Sequence, residues 1–307
     1  MKTDDVINEI EKVVRGKKGV ITMVVATLLA GGHVLLEDIP GVGKTTLAVA
    51  LSKALGLEFS RVQFTPDVVP GDLLGFTYYD QKTGQFIFRE GSIYTNLFLA
   101  DEINRTSPKT QSALLEVMEE RHATVEGNTR ELPKPFFVIA TENPYGSSGT
   151  QKLPESQLDR FMTCLSMGYP DHGSEVEVLM NDARSRIEDV QPVFSADELL
   201  QVQKDIENMH TDQALYDYIV ALSEATRNDE RFSLGLSPRG SIALYKVSRA
   251  LAYMCERNYL TPADIGAAWM SVAGHRVRLS PRGRATGFST GEILTEIIRT
   301  VPIPKIS

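Results

Sequence analysis

The sequence predicts an α/β protein with a parallel sheet flanked by helices, followed by a small all-helical domain. Short, continuous apolar runs alternate with helical patterns in the first part of the chain, as expected for strands buried on both faces. A glycine-rich segment stands between one of these runs and a helix. From about Pro192 the strand signals stop and amphipathic helical patterns follow. We therefore expect two domains, residues 1–190 and 191–307.

Composition narrows the class of protein. The net charge of −8 argues mildly against a ligand that presents an extended phosphate backbone. No apolar run approaches the roughly 20 residues that span a bilayer. The acidic start of the chain is unlike a secretory signal. Cys164 and Cys255 are far apart and predict no metal site, so we expect reduced thiols in a cytoplasmic protein.

Two helices open the chain. Thr3 is expected to cap the first, which would place Val6, Ile10, Val13 and Val14 on one face. The second carries Val20, Val24, Leu28 and Leu29 and is expected to end at Gly31-Gly32. The predicted strands of the sheet then follow at Val34–Leu36, Val62–Phe64, Leu97–Ala100, Phe136–Ala140 and Met162–Met167.

Two hairpins are expected to interrupt this domain. One runs from Phe76 to Phe88 around a turn at Asp80–Gly84, and the other runs from Ala123 to Leu132 around Gly127-Asn128. The aromatic residues of the first hairpin more often cover a local surface than bind a ligand. In the second domain we expect helices at 196–209, 212–227, 239–257 and 262–273. Ser195 and Thr261-Pro262 are the caps of the first and last of these.

The segment between the first strand and its helix has the pattern of a phosphate-binding loop. It comprises Asp38, Ile39, Pro40, Gly41, Val42, Gly43, Lys44, Thr45 and Thr46. Backbone N–H groups of such a loop and of the helix start cradle phosphates. Lys44 is placed to reach the β- and γ-phosphates of ATP, and the Thr45 hydroxyl is placed to bind Mg²⁺. Asp38 replaces the usual first glycine, and we expect it to accept a left-handed turn.

Polar residues at two strand ends complete the candidate site. Asp101 and Glu102 follow the apolar run Leu97–Ala100, where Asp101 could hold Mg²⁺ and Glu102 could activate water as a general base. Asn143 follows Phe136–Ala140 and precedes Pro144, and its amide could bond the attacking water. An asparagine before proline is equally ordinary turn chemistry. Arg105 could approach a phosphate or a subunit interface.

Several strings together resemble the MoxR family of AAA+ ATPases over nearly the whole chain. They are His33–Thr45, Leu99–Thr106, Pro108–Gln111, Ala113–Glu120, Ala140–Pro144, Leu153–Phe161, Leu236–Arg239, and Tyr259–Asp264 with His275-Arg276. The family commonly shows an acidic residue at the position of Asp38. The resemblance implies a AAA+ core with a helix-2 insert near Gly71–Ser92, a pre-sensor 1 hairpin near 123–132, and a C-terminal α-helical lid.

The resemblance also implies residue roles. Asn143 matches the sensor 1 residue, and Arg160 matches the arginine finger that reaches the nucleotide of a neighbouring subunit. Arg239 matches the sensor 2 arginine of the lid. Val14 and Gly16 belong to a segment that runs past the adenine. From the residues alone, Arg160 could instead pair with Asp159 or Glu155, and Arg239 could face solvent.

The implied function is ATP hydrolysis at subunit interfaces of a ring, expected to be hexameric, that drives chaperone-like maturation or metal-cofactor insertion in protein clients. Partners with von Willebrand factor A domains are implied, and no membrane insertion is expected. A nucleic-acid motor of the same insert-bearing group is a second hypothesis. The acidic balance and the sparse positive charge of the hairpins oppose it. A magnesium-chelatase-like subunit and a non-hydrolysing nucleotide switch are further alternatives.

Overall fold

A computed structural model describes residues 2–143, 153–180 and 187–305. The predicted turn residue Pro144 lies outside these ranges. In the described core the helices are α1 (Lys2–Glu11), α2 (Lys18–Leu29), α3 (Lys44–Ala54), α4 (Pro70–Leu74), α5 (Pro108–Glu120), α6 (Glu155–Leu158) and α7 (His172–Met180). No helix within these ranges is both long and apolar enough to cross a membrane.

The core contains a five-stranded parallel sheet. Its strands are β1 (Val34–Glu37), β2 (Phe59–Gln63), β5 (Leu97–Asp101), β8 (Phe137–Glu142) and β9 (Thr163–Leu165), in the spatial order β2-β5-β8-β1-β9. Alternate residues of β1 enter two apolar clusters, Val34 and Leu36 on one face and Leu35 on the other. Helices therefore cover both faces, and the predicted α/β fold is confirmed.

The N-terminal helices differ in detail from the prediction. Thr3 lies inside α1, which already includes Lys2, so it is not the cap. Val13 and Val14 lie beyond the end of α1 but are still buried. Helix α2 ends as predicted before Gly31, whose φ of 73° favours glycine.

Both predicted hairpins are present. The first pairs β3 (Phe76–Asp80) with β4 (Gln85–Arg89), and the second pairs β6 (His122–Val125) with β7 (Asn128–Glu131). They contact each other, because the guanidinium of Arg130 stacks 3.6 Å from the ring centre of Phe88. Phe88 is half-buried and packs on Tyr94, so it covers a local surface as expected. Phe86 is 76% exposed although it pairs with Tyr79 across the strands, and Phe76 is 43% exposed, so these two rings cover less than expected.

The second domain is mainly helical. It holds α8 (Ala196–Glu207), α9 (Gln213–Asn228), α10 (Pro238–Met254), α11 (Pro262–Ala273), α12 (Pro281–Ala285) and α13 (Thr290–Thr300). The prediction missed α12 and α13. It was also wrong in making the domain all-helical, because β10 (Phe232–Leu234) pairs with β11 (Arg278–Leu279). These strands are too short to produce an alternating pattern in the sequence.

One buried ion pair joins the second domain to the core. Arg276 is 5% exposed, and its Nε lies 2.7 Å from Oδ1 of Asp159. The same guanidinium donates to the carbonyl oxygens of Phe161 and Met162, which precede β9. The hydroxyl of Ser237, the N-cap of α10, also donates to the Asp159 carboxylate at 3.0 Å. Asp159 therefore holds two segments of the lid against the core.

Replacing Arg276 by alanine should lower the free energy of unfolding by about 3–5 kcal/mol, because it leaves a half-buried carboxylate and several carbonyl oxygens without their donor. Urea denaturation at fixed protein concentration measures the change. Arg278→Ala is the control, since Arg278 forms an exposed pair with Glu155 and its loss should cost less than about 1 kcal/mol. Equal losses in the two variants would contradict the assigned role.

A buried histidine, His33, stands directly before the start of β1. The Nδ1 atom of His33 accepts from the backbone N–H of Val138 at 3.0 Å, and its Nε2 lies 2.9 Å from the Met118 carbonyl oxygen. The ring is therefore neutral, with the proton on Nε2. Burial lowers the pKa of His33 to about 4. It links β8 to the last turn of α5.

Because the folded pKa of His33 lies below its unfolded value near 6.5, its contribution to stability is complete above about pH 6.5 and is lost as the pH falls toward about 4. The stability advantage of the wild type over His33→Asn should shrink by about 1.4 kcal/mol per pH unit in this window. Denaturation at pH 7.5, 6 and 5 measures it. An advantage that stays constant across these values would refute the assignment.

Candidate functional site

The predicted phosphate-binding loop lies between β1 and α3. Gly41 and Gly43 have φ values of 87° and 91°, which residues other than glycine rarely adopt. Gly43 precedes α3 directly, and no side chain caps that helix end. The N–H groups of the first turn of α3, including those of Thr45 and Thr46, are therefore suited to receive a phosphate.

Lys44 is the first residue of α3 and is 9% exposed. Its Nζ donates to the carbonyl oxygen of Asp38 at 2.7 Å. Burial lowers the pKa of Lys44, and the carboxylates of Asp38, Asp101 and Glu102 oppose that change. These four charged residues thus share one environment, as the sequence predicted.

Asp38 has a different role from the one expected. It is not among the residues with positive φ, so tolerance of a left-handed turn does not explain it. Its Oδ2 accepts from the backbone N–H of Gly168 at 2.7 Å and from the Ser166 hydroxyl at 3.1 Å. The side chain therefore ties the loop to the segment after β9, while its carbonyl oxygen receives Lys44.

Asp101 ends β5, but β5 does not adjoin β1, because β8 lies between them. Thr141 of β8 donates its hydroxyl to Oδ1 of Asp101 at 2.6 Å. Arg61 of β2 pairs with Oδ2 at 2.6 Å. Neither partner was predicted from the sequence, although Arg61 and Gln63 alternate on a strand and so share one face.

Glu102 follows β5 with a φ of 57°, a conformation that costs a non-glycine residue about 1–3 kcal/mol and is common at functional sites. Its Oε2 accepts from Gln63 at 2.8 Å and from Arg105 at 2.6 Å. Arg105 is thus a direct partner of the predicted general base. Asn143 directly follows β8, the strand next to β5. The side-chain amide of Asn104 lies 3.4 Å from the Asn143 carbonyl oxygen.

The donor set suits magnesium. The Asp101 carboxylate and the Thr45 hydroxyl offer oxygen atoms, which are the ligands Mg²⁺ prefers. Within the described residues, no cluster of three or more histidine, cysteine or acidic side chains could hold a metal ion by itself.

A cavity of about 520 Å³ opens beside the loop, between the core and the lid. Its described lining includes Asp38, Gly168 and Tyr169 from the core and Met270, Gly274 and His275 from the lid, but neither Val14 nor Gly16. Gly16 lies instead against Asp171 and Ser174 at the start of α7, where an added Cβ would come within 2.6 Å of both side chains. The adenine contact of Val14 and Gly16 stays a prediction, as do phosphate contacts of Pro40 and Val42.

Arg160 and Arg239 lie at the other edge of the sheet. Arg160 precedes β9, and its Nη1 donates to the Leu115 carbonyl oxygen at 2.8 Å. The same Nη1 forms an ion pair with Oε2 of Glu119 at 2.8 Å. Arg239 bonds Oε1 of the same Glu119. Glu119 is in the last turn of α5, next to Met118, which contacts His33 before β1. Arg160 pairs with neither Asp159 nor Glu155, so that alternative was wrong. Arg239 is 45% exposed at the start of its helix, as its alternative expected, but it also bonds Glu119 of the core.

This geometry separates the two arginines from the loop of their own chain. In a parallel sheet all strands begin at one edge and end at the other. The loop and Asp101-Glu102 follow strand ends, whereas Arg160 and Glu119 lie near strand beginnings. The lid residues near the loop are instead Met270, Gly274 and His275.

Known proteins share this fold and these segments. Residues 33–163 match the ATPase family associated with various cellular activities (AAA), and residues 224–297 match the AAA lid domain. The chain is 36% identical over 310 residues to Chaperone MoxR1 of Mycobacterium tuberculosis, covering 98% of this chain and 82% of that protein. It is 30% identical over 326 residues to Protein MoxR of Methylorubrum extorquens, covering 96% and 93% of the two chains.

Two further proteins are similar to this chain over nearly its full length. The uncharacterised protein YeaC of Bacillus subtilis is 46% identical over 299 residues, covering 97% of this chain and 93% of YeaC. A crystal structure of a protein from Cytophaga hutchinsonii, assigned as an ATPase, superposes with a TM-score of 0.91 at 38% identity, covering 99% and 95% of the chains. The chain belongs to the MoxR family of AAA ATPases, and it is an ATPase with a AAA lid.

Asp38→Ala should lower the free energy of unfolding by about 1–3 kcal/mol, because the Gly168 N–H loses its acceptor. Amide hydrogen exchange at Gly168 should become faster in the same variant. Asp67→Ala removes the same charge from an exposed residue after β2 and serves as the control, with an expected change within about 0.5 kcal/mol. An unchanged exchange rate at Gly168 would argue against the proposed anchor.

Proposed function

We propose that this ATPase hydrolyses ATP at interfaces between subunits of a ring and uses the energy for chaperone-like remodelling of protein clients. One observation carries the proposal. The nucleotide-binding residues and the two arginines lie at opposite edges of one sheet, so a single chain cannot bring them to the same phosphate. A head-to-tail contact would bring one edge of a subunit against the other edge of its neighbour.

In this proposal each chain supplies most of one site. The loop from Asp38 to Thr46 binds the phosphates, with Lys44 on the β- and γ-phosphates. Glu102 takes a proton from the attacking water as general base, and Asn143 orients that water. Asp101 and Thr45 would hold Mg²⁺, which when bound neutralises charge on the phosphate oxygens.

The neighbouring subunit supplies the rest of the site. Arg160 would stabilise the charge that develops on the γ-phosphoryl group, because a planar guanidinium donates two bonds and keeps its charge. Arg239 would act beside it. The assembly would be a closed ring, expected to be hexameric from the resemblance to the family.

The hairpin β3–β4 is the proposed contact for the client. Phe86, Tyr79 and Phe76 are exposed there, and large exposed apolar groups mark interaction sites. Stacking of Arg130 on Phe88 couples this hairpin to β6–β7. Maturation or metal-cofactor insertion, and partners with von Willebrand factor A domains, follow from the family resemblance. Cys164 and Cys255 are both free thiols, which suits the expected cytoplasmic location.

A mixing experiment tests the interface. Lys44→Ala subunits should not bind ATP productively but should keep their arginines, whereas Arg160→Ala subunits keep the loop. Each variant alone should lose most turnover, by about 10³-fold or more for Arg160→Ala. An equal mixture should regain turnover, because about a quarter of its interfaces then combine an intact loop with an intact arginine.

A variant of Glu102 tests the hydrolysis step in the same assay. Glu102→Gln should bind ATP with little change in affinity and hydrolyse it at least 100-fold more slowly, since it loses the general base. Wild-type turnover by either Glu102→Gln or Arg160→Ala would reject the mechanism. A mixture no more active than its components would reject the shared site.

A further inference from the structure

Glu119 joins Arg160 and Arg239, which come from different domains. Its Oε2 lies 2.8 Å from Nη1 of Arg160, and its Oε1 bonds Nη2 of Arg239. Arg160 belongs to the core and Arg239 to the first turn of α10 in the lid. A single carboxylate of α5 therefore sets the separation of two cationic side chains that are distant in sequence.

Among the described residues, the contacts with Glu119 engage only part of each guanidinium. Arg160 employs only Nη1, which also donates to the Leu115 carbonyl oxygen, and Arg239 employs only Nη2. The remaining N–H groups of both make no hydrogen bond with the described residues. The three side chains are 31%, 40% and 45% exposed for Arg160, Glu119 and Arg239. The cluster thus carries a net positive charge and has donors that no described residue engages.

Without a carboxylate between them, two adjacent guanidiniums repel each other and sample many rotamers. With it, both are held in one geometry before an anion arrives. Preorganised donors of this kind are the groups that stabilise developing charge effectively.

We propose that Glu119 is a positioning residue for ATP hydrolysis. It holds Arg160 and Arg239 as one pair whose unused N–H groups receive the γ-phosphate bound by the next subunit. This inference rests on the proposed function and deepens it, because it names the residue that holds both arginines in place. The acidic residue does not contact the nucleotide and acts only through the arginines.

The first test separates turnover from nucleotide affinity. Glu119→Ala should lower kcat about tenfold, because misplaced donors reduce catalysis without abolishing it. The KM for ATP should stay unchanged, since the phosphate-binding loop lies at the other edge of the sheet. Glu116→Ala, at an exposed position on the same helix, should leave kcat unchanged. Thermal unfolding and light scattering must show the same stability and assembly for both variants.

The second test asks which subunit needs Glu119. The change is placed either on Lys44→Ala subunits, which donate arginines, or on Arg160→Ala subunits, which donate the loop. In equal mixtures, Glu119→Ala should reduce the regained turnover about tenfold on the arginine donor and leave it unchanged on the loop donor. A merely structural role would reduce turnover in both arrangements.

These experiments distinguish failure of the proposed function from failure of the role of Glu119. If Arg160→Ala alone keeps wild-type turnover, or if the original mixture regains none, the proposed function fails. If those results hold but Glu119→Ala keeps or raises kcat, or acts equally on either donor, only the role of Glu119 is overturned.

Discussion

The placement of the lid on the core depends on the contacts of the Asp159 carboxylate. This carboxylate receives Arg276 from the lid and the hydroxyl of Ser237, so it fixes the start of α10 on the core. Arg239 stands two residues after Ser237, and Arg160 directly follows Asp159. One junction therefore determines which part of the lid lies near the arginine cluster and which part lies near the phosphate-binding loop.

The charged groups of the candidate nucleotide site contact one another or their neighbours in the same chain. Each charged group has a partner within the chain: Lys44 with the Asp38 carbonyl oxygen, Asp101 with Arg61 and Thr141, and Glu102 with Gln63 and Arg105. Buried or half-buried charges require such partners. Strand β2 supplies one partner to each acidic residue, Arg61 to Asp101 and Gln63 to Glu102.

The sequence predicts those features whose cause is local. The glycines and Lys44 of the loop, the acids at the end of β5 and the caps at Ser195 and Thr261 each depend on a few neighbouring residues, and the structure contains them. Contacts between distant segments were not predictable. The pairing of Arg61 with Asp101 requires β2 beside β5, and the pairing of Arg160 with Glu119 requires knowledge of where α5 ends. Even Asp38, correctly assigned to the loop, has a role set by Gly168.

The opposite placement of loop and arginines gives each chain a direction. Contacts between unlike edges are heterologous, and such contacts either close into a ring or continue as an open filament. In a closed ring every nucleotide has a neighbour that completes its site. An open assembly always leaves one loop without arginines at one end and one pair of arginines without a nucleotide at the other. Loss of a single subunit from a ring would then remove more than its own share of activity, since the subunit before it would also lose its partner.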